Sequence, residues 1–428
     1  MRFRTQYIGA VAAVIVAAAC SDLTTLTQSN PAALSATTVY TPANAQLFTN
    51  GAISDFECAF SRYVVGSGLL MDELSNSFSS GSNFDYDARR NPTNASYGTG
   101  TCGSNQQPPI YTTLSVARRS TDTAVARLKE FKDSDLPTGV NRSKLIGQAY
   151  AYAGYTIVLL GEGMCTAAIN VGPELTPAQI FAEAKIRFDS SIAYATTGSD
   201  PTTVSFATLG RARTQLDLGN TAAAGTDAAT VPSTFVVNMS TDALNVRREN
   251  FAFITINQNS WATIDPSFRG LTINGAADPR VAVTNTGKNG TASGTQIFTP
   301  DKYPALNTVM PIARYAEAQL IVAEAKLAAN DIAGATTAIN AARATHPGLP
   351  AFSSAGLAAS DVKTQIIEER RRELFLEGHR LGDIRRYAIP LSPAAGTAYT
   401  IGGGTYGSQN CFPLPDVEKI NNPNIPKS

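Results

Sequence analysis

Residues 312–347, IARYAEAQLIVAEAKLAANDIAGATTAINAARATHP, have the most regular pattern in this chain of 428 residues. In the first half, apolar or small side chains recur every three or four residues, as on one face of an amphipathic helix: Ile312, Ala316, Leu320, Ala323 and Leu327. Asn330 and Asp331 favour a turn, and Asp331 can cap the helix that follows. Small and apolar residues share one face of this second helix: Ala335, Ile339 and Ala342. Because Pro347 ends the pattern, the stretch predicts two consecutive helices that pack against each other.

The same spacing matches the register of a tetratricopeptide repeat, in which small side chains let two helices approach and a larger one fills the groove. The matching residues are Ala323, Ala335, Ile339, Ala342 and Pro347. A looser copy runs through Ala212, Ala224 and Ala228, and the helices predicted at 141–160 and 177–196 could stack in the same way. We therefore predict a mainly α fold of helical repeats at about 110–230 and 309–388. The alternative is an ordinary helical core built from helix-turn-helix units.

The regions outside these repeats lack helical periodicity. Residues at about 230–305 are rich in Gly, Asn, Thr and Pro, and short runs such as 251–256 are typical of strands. This composition predicts an irregular insertion with a few small strands. The Gly- and Pro-rich tail, 389–428, is predicted to form loops that wrap the surface. We expect residues 46–428 to form one domain, with a loop-rich ligand region beside the repeats.

The composition narrows the classes of partner. The 34 Lys and Arg residues balance the 34 Asp and Glu residues, which gives no reason to expect a nucleic acid or an anionic surface as partner. Hydrophobic residues make up 43% of the chain, enough for a real core. Charged residues make up only 16%, so Thr, Ser, Asn and Gly must cover much of the surface, as suits an exported protein.

The N-terminus has the pattern of a secretory signal peptide. Arg2 and Arg4 precede an apolar run of about a dozen residues, shorter than the roughly 20 that a membrane-spanning helix needs. The run ends in three alanines and Cys20, and small residues directly before a cysteine resemble a lipobox. We predict a lipoprotein signal peptide at 1–19, lipidation of Cys20 and a flexible tether at 20–45. The alternative is signal cleavage near Ala19 without a lipid.

Four further cysteines predict two disulfides in an oxidising compartment: Cys58, Cys102, Cys165 and Cys411. Three pairings are possible. The preferred one joins Cys58 to Cys102, which closes the shorter loop, and leaves Cys165 to join Cys411. A metal site is not favoured, because no two of these cysteines are spaced as CxxC and the chain has only two histidines.

The densest charge cluster lies at residues 368–386, and it has two interpretations. Arg370 is spaced at four from both Ile366 and Leu374, which places it on an apolar helix face where it needs carboxylate partners. The nearby candidates are Glu373, Glu377 and Asp383. We predict that these four residues form an ion-pair network that joins the last two helices. Catalysis is the less favoured interpretation, since neither His346 nor His379 lies beside a nucleophile motif.

Aromatic residues in polar loops are the candidates for ligand binding. A flat ring packs against the apolar face of a sugar, while neighbouring amide and charged side chains bind its hydroxyls. The chain's single tryptophan, Trp261, follows the polar residues 257–260, and Phe84, Tyr86 and Tyr97 lie in similar surroundings. The alternative for each ring is that it fills a local core under a long loop.

Five segments together resemble the SusD/RagB family of outer-membrane lipoproteins. They are Cys20 with residues 21–23; Met71-Asp-Glu-Leu-Ser-Asn; residues 314–325 with 338–343; residues 368–380 with 383–386; and residues 412–418 with 422–423. The resemblance implies four tetratricopeptide-like helix pairs that support a variable, loop-rich ligand side, without enzymatic activity and without a cofactor. It also implies a lipid-anchored protein at the cell surface that captures oligosaccharides, or peptides, for a TonB-dependent β-barrel transporter of the SusC type.

Three functions are therefore weighed. The preferred one is a nutrient-binding lipoprotein, which aromatic-lined loops would favour. The second is an envelope scaffold of helical repeats that binds only proteins, which a dry apolar groove without a ligand pocket would favour. The third is a secreted hydrolase, which a close pair of buried carboxylates in a cleft would favour, provided that the pKa of one of them is raised.

Overall fold

Helices make up most of the regular structure in the computed structural model, which describes residues 35–79, 83–103, 107–292 and 294–426. The predicted signal peptide, Cys20 and the tether up to residue 34 lie outside the described residues. Within those ranges, no helix combines the length and the apolarity needed to cross a membrane.

The helices are numbered here in chain order. They are α1 (Ala36–Val39), α2 (Ala45–Leu70), α3 (Asn83–Asp87), α4 (Tyr111–Glu130), α5 (Arg142–Gly163), α6 (Pro177–Thr197), α7 (Pro201–Asp217), α8 (Thr221–Ala228), α9 (Tyr315–Ala328), α10 (Ile332–Arg343), α11 (Ala359–Glu373), α12 (Arg380–Tyr387) and α13 (Asp416–Asn421).

The strands are short. They are β1 (Leu74–Asn76), β2 (Ala167–Ala168), β3 (Glu174–Leu175), β4 (Val236–Met239), β5 (Ala262–Ile264), β6 (Thr272–Ile273), β7 (Ala276–Ala277), β8 (Val283–Asn289), β9 (Gln296–Pro300) and β10 (Met310–Arg314). They form antiparallel two-stranded ladders: β1 with β5, β2 with β3, β4 with β10, β6 with β7 and β8 with β9.

The longer helices pack as consecutive pairs: α2 with α4, α5 with α6, α7 with α8, and α9 with α10. In the last pair, Ala323, Ala335 and Ile339 are fully buried together, as the repeat register predicts. Neighbouring pairs also touch, since α4 packs on α5, α6 on α7 and α8 on α9. The predicted fold class, mainly α helical repeats with a loop-rich region of small strands, is confirmed. The run 251–256 is not a strand, however, because Phe253–Gln258 form a π-helix.

Glycines determine how closely α5 and α6 approach. Gly147, Gly154 and Gly161 lie seven residues apart along one stripe of α5. A Cβ at Gly154 would lie 2.6 Å from the ring of Phe188, and one at Gly161 would lie 2.5 Å from the ring of Phe181. The rings of α6 therefore occupy space that only glycine leaves free, the small-against-large packing typical of paired repeat helices.

Two sequence predictions are wrong at the boundaries of the helical regions. The tether predicted at 20–45 ends before residue 45, because α1 occupies Ala36–Val39 and the buried Ala45 begins α2. Helix α2 lies outside both predicted repeat regions. Every residue from Phe56 to Leu70 is buried, so this half of α2 is enclosed on all sides and shows no amphipathic period.

The helix predicted from Ile312 also begins later than expected. Residues Met310–Arg314 form strand β10 and pair with β4, and α9 starts at Tyr315. Ile312 and Ala316 are both buried, although one lies in the strand and the other in the helix. A spacing of four apolar or small residues therefore does not distinguish a continuous helix from a strand that leads into a helix.

Two disulfides connect distant parts of the chain in the preferred pairing. Cys58 of α2 is joined to Cys102, and Cys165, just after α5, is joined to Cys411 in the C-terminal tail. The second connection is reinforced by the backbone, because the N–H of Cys165 donates to the carbonyl of Phe412 at 2.8 Å. The tail is thereby held against the helical core.

The charge cluster at 368–386 is buried, but its partners differ from the predicted ones. Arg370 binds Asp383 at 2.9 Å and lies 3.6 Å from Glu324. Glu373 and Glu377 bind Arg314 instead, at 2.6 and 2.9 Å. Of the three candidate partners, Asp383 pairs with Arg370, whereas Glu373 and Glu377 pair with Arg314.

The chain path explains this difference. Helix α11 ends at Glu373, and Leu376 adopts a left-handed conformation with φ of 54°. Residues 373–377 thus turn towards the start of α9, where Arg314 lies, whereas α12 brings Asp383 back to Arg370. The cluster joins α9 as well as α11 and α12.

A second buried contact ties this cluster to the end of α2. The guanidinium of Arg380 donates two hydrogen bonds of 2.6 Å to the carboxylate of Asp72. The N–H of Leu376 donates to Oε1 of Glu73 at 2.8 Å. Residues 71–76 and 368–386, two of the segments that carry the family resemblance, are therefore in direct contact.

Candidate ligand-binding surface

Two aromatic rings meet where strands β1 and β5 pair. Asn76 of β1 lies opposite Ala262 of β5, which brings Phe78, two residues after Asn76, near Trp261, the residue before Ala262. Their ring centroids are 6.1 Å apart, with an angle of 52° between the planes. Both side chains are half-buried, which leaves part of each ring accessible to a ligand.

The backbone around these rings is held by several hydrogen bonds. The N–H of Ser77 donates to the carbonyl of Trp261 at 3.2 Å, and its hydroxyl donates to the carbonyl of Ser260 at 2.8 Å. The N–H of Ala292 in turn donates to the carbonyl of Ser77 at 3.0 Å. Because three separate segments fix this point, the rings require little ordering when a ligand binds.

A second aromatic group lies where the C-terminal tail meets α3. The ring of Phe84 lies 6.4 Å from that of Tyr399, which lies 5.0 Å from that of Tyr406. The exposed Arg90 places its guanidinium 5.9 Å from the centre of the Tyr399 ring and donates to the carbonyl of Gly403 at 3.1 Å. Phe84 and Tyr406 are half-buried, whereas Tyr399 is 1% exposed.

Asp87 connects the two aromatic groups. One oxygen of its buried carboxyl accepts hydrogen bonds from the N–H of Asn76, at 2.8 Å, and from the hydroxyl of Tyr399, at 3.1 Å. Burial raises the pKa of Asp87 to about 7. The half-buried rings and Arg90 therefore belong to one connected region. We call it the loop surface and define it by Phe78, Phe84, Arg90, Trp261 and Tyr406.

The other two predicted ligand residues do not lie on this surface. Tyr86 and Tyr97 are both 0% exposed, and each ring lies 5.3 Å from that of Phe412. Their hydroxyls donate to the carbonyls of Pro108 and Pro413. The prediction that Tyr86 and Tyr97 contact a ligand is therefore wrong, and both fill a local core beneath the tail.

Sequence reasoning also missed members of the loop surface. Phe78 lies two residues after the segment 71–76, and that position is a usable signal. Arg90 and Tyr406 have no comparable signal, because distant parts of the chain meet at this surface: the Arg90–Gly403 bond joins residues more than 300 positions apart.

The carboxylate pair expected of a hydrolase has its nearest counterpart in Glu162 and Asp217. Both line a cavity of about 470 Å³, and burial together with the charge of Glu162 raises the pKa of Asp217 well above its ordinary range. However, Arg213 donates to both oxygens of Glu162, at 2.6 and 2.5 Å. Since Glu162 is already held in an ion pair, this arrangement resembles a structural network more than a catalytic pair.

The described residues thus form a helical-repeat scaffold whose aromatic rings stand on loops at one end. Flat rings beside an arginine and backbone polar groups suit a ligand with both apolar faces and hydroxyls, such as a sugar. Among these residues, no group of three or more His, Cys, Asp or Glu side chains is arranged to hold a metal ion.

Comparison with known proteins shows which proteins share this architecture. Residues 295–425, which include α9 to α12 and the buried charge cluster, match the model of the SusD family. A comparison with curated proteins gives no match.

Solved structures extend the likeness to nearly all of the chain. A SusD-like carbohydrate binding protein from Bacteroides vulgatus is 16% identical, with a TM-score of 0.64 over 90% of this chain and 98% of that one. The surface glycan-binding protein A from Bacteroides thetaiotaomicron is 14% identical, with a TM-score of 0.66 over 89% and 97%. A laminarin binding SusD-like protein is 15% identical, with a TM-score of 0.61 over 88% and 98%. The chain has the SusD-like fold, and the predicted resemblance to the SusD/RagB family is confirmed.

Proposed function

We propose that this protein binds oligosaccharides at the loop surface and passes them to a TonB-dependent β-barrel transporter of the SusC type. Peptides are the second class of ligand. The protein would act without enzymatic activity, anchored to the outer membrane through a lipid on Cys20 and exposed at the cell surface. The observation that supports the proposal most directly is the pair of half-buried rings, Phe78 and Trp261, held by backbone hydrogen bonds on a SusD-like fold.

The chemistry of the loop surface fits a sugar better than an ion. Trp261 and Phe78 offer faces on which the C–H side of a sugar ring can pack, and Arg90 can donate hydrogen bonds to hydroxyls. The buried carboxyl of Asp87 is already used by the N–H of Asn76 and the hydroxyl of Tyr399, so it is not free to bind an ion. The names of the similar structures, which include carbohydrate-, glycan- and laminarin-binding proteins, point the same way.

A binding screen with purified mature protein tests the ligand. We expect at least one neutral oligosaccharide to bind in calorimetric titration, and Trp261→Ala to weaken that binding by about 1–3 kcal/mol through loss of an aromatic contact. Tyr150→Ala is the matched control, because Tyr150 is also a half-buried ring with an aromatic neighbour, Tyr194, but lies in α5. Equal affinity of the Trp261 variant and the wild type would place the site elsewhere.

Purification of the tagged protein from native outer membranes tests the partner and the anchor. We expect a stoichiometric TonB-dependent barrel to copurify, and Cys20→Ala to release the protein into the soluble fraction. Other envelope proteins in place of a barrel would favour the scaffold alternative. A Cys20 variant that stays in the membrane fraction would mean attachment through a partner.

A further inference from the structure

A polar cavity of about 630 Å³ lies apart from the loop surface, between α2, α5, α7 and the segment that begins with β4. Its residues from α2 lie between Gln46 and Glu57, in the first half of this helix. The loop surface begins beyond the opposite end of α2, after Leu70. At 1.5 Å per residue, about 20 Å of helix separates Glu57 from Leu70. The volume is within the range of small-molecule sites, roughly 300–1,000 Å³.

Two carboxylate–cation pairs line this cavity. Nε of Arg248 lies 3.8 Å from the carboxylate of Glu57, and Nζ of Lys144 lies 4.0 Å from that of Asp200. Each cation therefore balances the charge of its carboxylate. Because these distances exceed those of hydrogen bonds, its N–H groups remain able to donate to another partner. Both carboxylates are buried, at 3% and 6% exposure, and each is fixed by protein donors.

The fixing bonds show that the carboxylates are preorganised. The N–H of Ser240 donates to Glu57 at 2.7 Å. The side-chain amide of Gln148 donates to Asp200 at 3.0 Å, and the N–H of Thr203 does so at 3.2 Å. Gln148 and Ser240 also line the cavity, so amide and hydroxyl groups surround the charged ones.

One wall of the cavity is aromatic. The rings of Tyr152 and Phe206 lie 5.2 Å apart, with an angle of 62° between the planes. Burial raises the pKa of Tyr152, and the charge of Glu57 raises it further, so the phenol stays protonated and can donate. Tyr152 is half-buried and presents both a ring and a hydroxyl to a bound molecule.

We propose that this cavity is a second binding site, which takes a short neutral carbohydrate of one to a few sugar units. Hydroxyl groups both donate and accept, so they can bridge between each cation and its carboxylate without separating the charges. An ionic ligand would have to disrupt one of the two balanced pairs. The aromatic wall suits the C–H face of a sugar ring. This site does not depend on the loop surface.

Titration of the mature protein with maltose, cellobiose and xylobiose, followed by ligand-observed NMR and calorimetry, tests the proposal. We expect at least one of them to bind, with affinity reduced about tenfold in both Glu57→Gln and Asp200→Asn, as for loss of one charge-assisted hydrogen bond. Asn50→Trp, at an exposed position of the lining, should fill the entrance and abolish binding. Leu47→Trp is the matched control, since Leu47 is exposed on the same helix and does not line the cavity.

Trp261→Ala separates this site from the loop surface, and it should leave the binding to the cavity unchanged. The proposal is overturned if none of the three sugars binds. It is also overturned if Asn50→Trp binds the sugar as tightly as Leu47→Trp does, when circular dichroism shows that both variants are folded. Loss of all sugar binding in Trp261→Ala would overturn it as well. Tighter binding of the zwitterion dialanine than of any sugar would refute the assigned ligand class.

Discussion

The stability of a Glu73→Gln variant, measured relative to that of the wild type, should increase as the pH rises. Glu73 is 1% exposed, and burial raises its pKa from 4.5 to about 8. The folded protein therefore binds this proton more tightly than the unfolded chain, so stability falls as the pH rises from the unfolded to the folded pKa. A pKa shift of this size corresponds to a loss of roughly 5 kcal/mol in the free energy of unfolding. Roughly 4 kcal/mol of that loss falls between about pH 5 and pH 8.5.

Gln is the informative replacement because it removes the charge and keeps the acceptor. Oε1 of Glu73 accepts the N–H of Leu376 at 2.8 Å, a bond that an amide oxygen can reproduce. Oε2 has no hydrogen-bond partner among the described residues, so the new amide adds a cost of its own. That cost does not vary with pH, whereas the gain from removing the ionisable group does.

Urea unfolding at about pH 5 and about pH 8.5 measures the effect as a difference between the two proteins. The free energy of unfolding of Glu73→Gln relative to wild type should rise by roughly 4 kcal/mol over this range, while other titrating groups cancel. Glu130→Gln is the control, because Glu130 is exposed and its replacement should show no such trend. If the difference in free energy of unfolding between Glu73→Gln and the wild type stays constant with pH, the raised pKa of Glu73 is refuted.

Two further predictions concern packing and the contact between signature segments. Gly154→Ala should lower the free energy of unfolding in urea by about 1–3 kcal/mol, because its Cβ would lie 2.6 Å from the ring of Phe188. Gly51→Ala is the control: a Cβ there has nothing within 4 Å, so the variant should be up to about 1 kcal/mol more stable. Equal effects of the two substitutions would contradict the close approach of α5 and α6 at Gly154. A double-mutant cycle of Asp72→Ala and Arg380→Ala should give a coupling energy of about 1–3 kcal/mol, since the two side chains share two hydrogen bonds of 2.6 Å, and additive effects would count against that bond.

The sequence predicted those helices that are amphipathic. The helix predicted at 177–196 is α6, which begins with a capping box of Thr176 and Gln179, and Asp331 caps α10 as predicted. Local spacing determines such features, so one sequence suffices to find them. Helix α2 was missed because burial on all sides removes the periodic signal, although its 26 residues form the longest helix described.

The loop surface could be predicted only in part, because its geometry depends on long-range pairing. Trp261 could be named from its rarity and its polar surroundings. Its neighbour Phe78 requires the register of β1 against β5, which joins residues nearly 190 positions apart. Similarly, the partners of Glu373 depend on a left-handed turn at Leu376 that brings Arg314 within 2.6 Å. Neither feature has a local periodicity that identifies it.

One short segment, residues 72–78, connects the helical scaffold to the loop surface. Successive residues bind different elements: Asp72 binds Arg380, Glu73 binds Leu376, Ser75 binds Asp265, Asn76 binds Asp87 and Ser77 binds Trp261. Phe78 follows directly, so its position is fixed by contacts that start in the buried charge cluster. This explains how a surface built from loops can be rigid. It also predicts that, if ligands bind at the loop surface as proposed, Asp72→Ala weakens that binding in calorimetric titration without touching the ligand, because the segment loses its bond to Arg380 of α12.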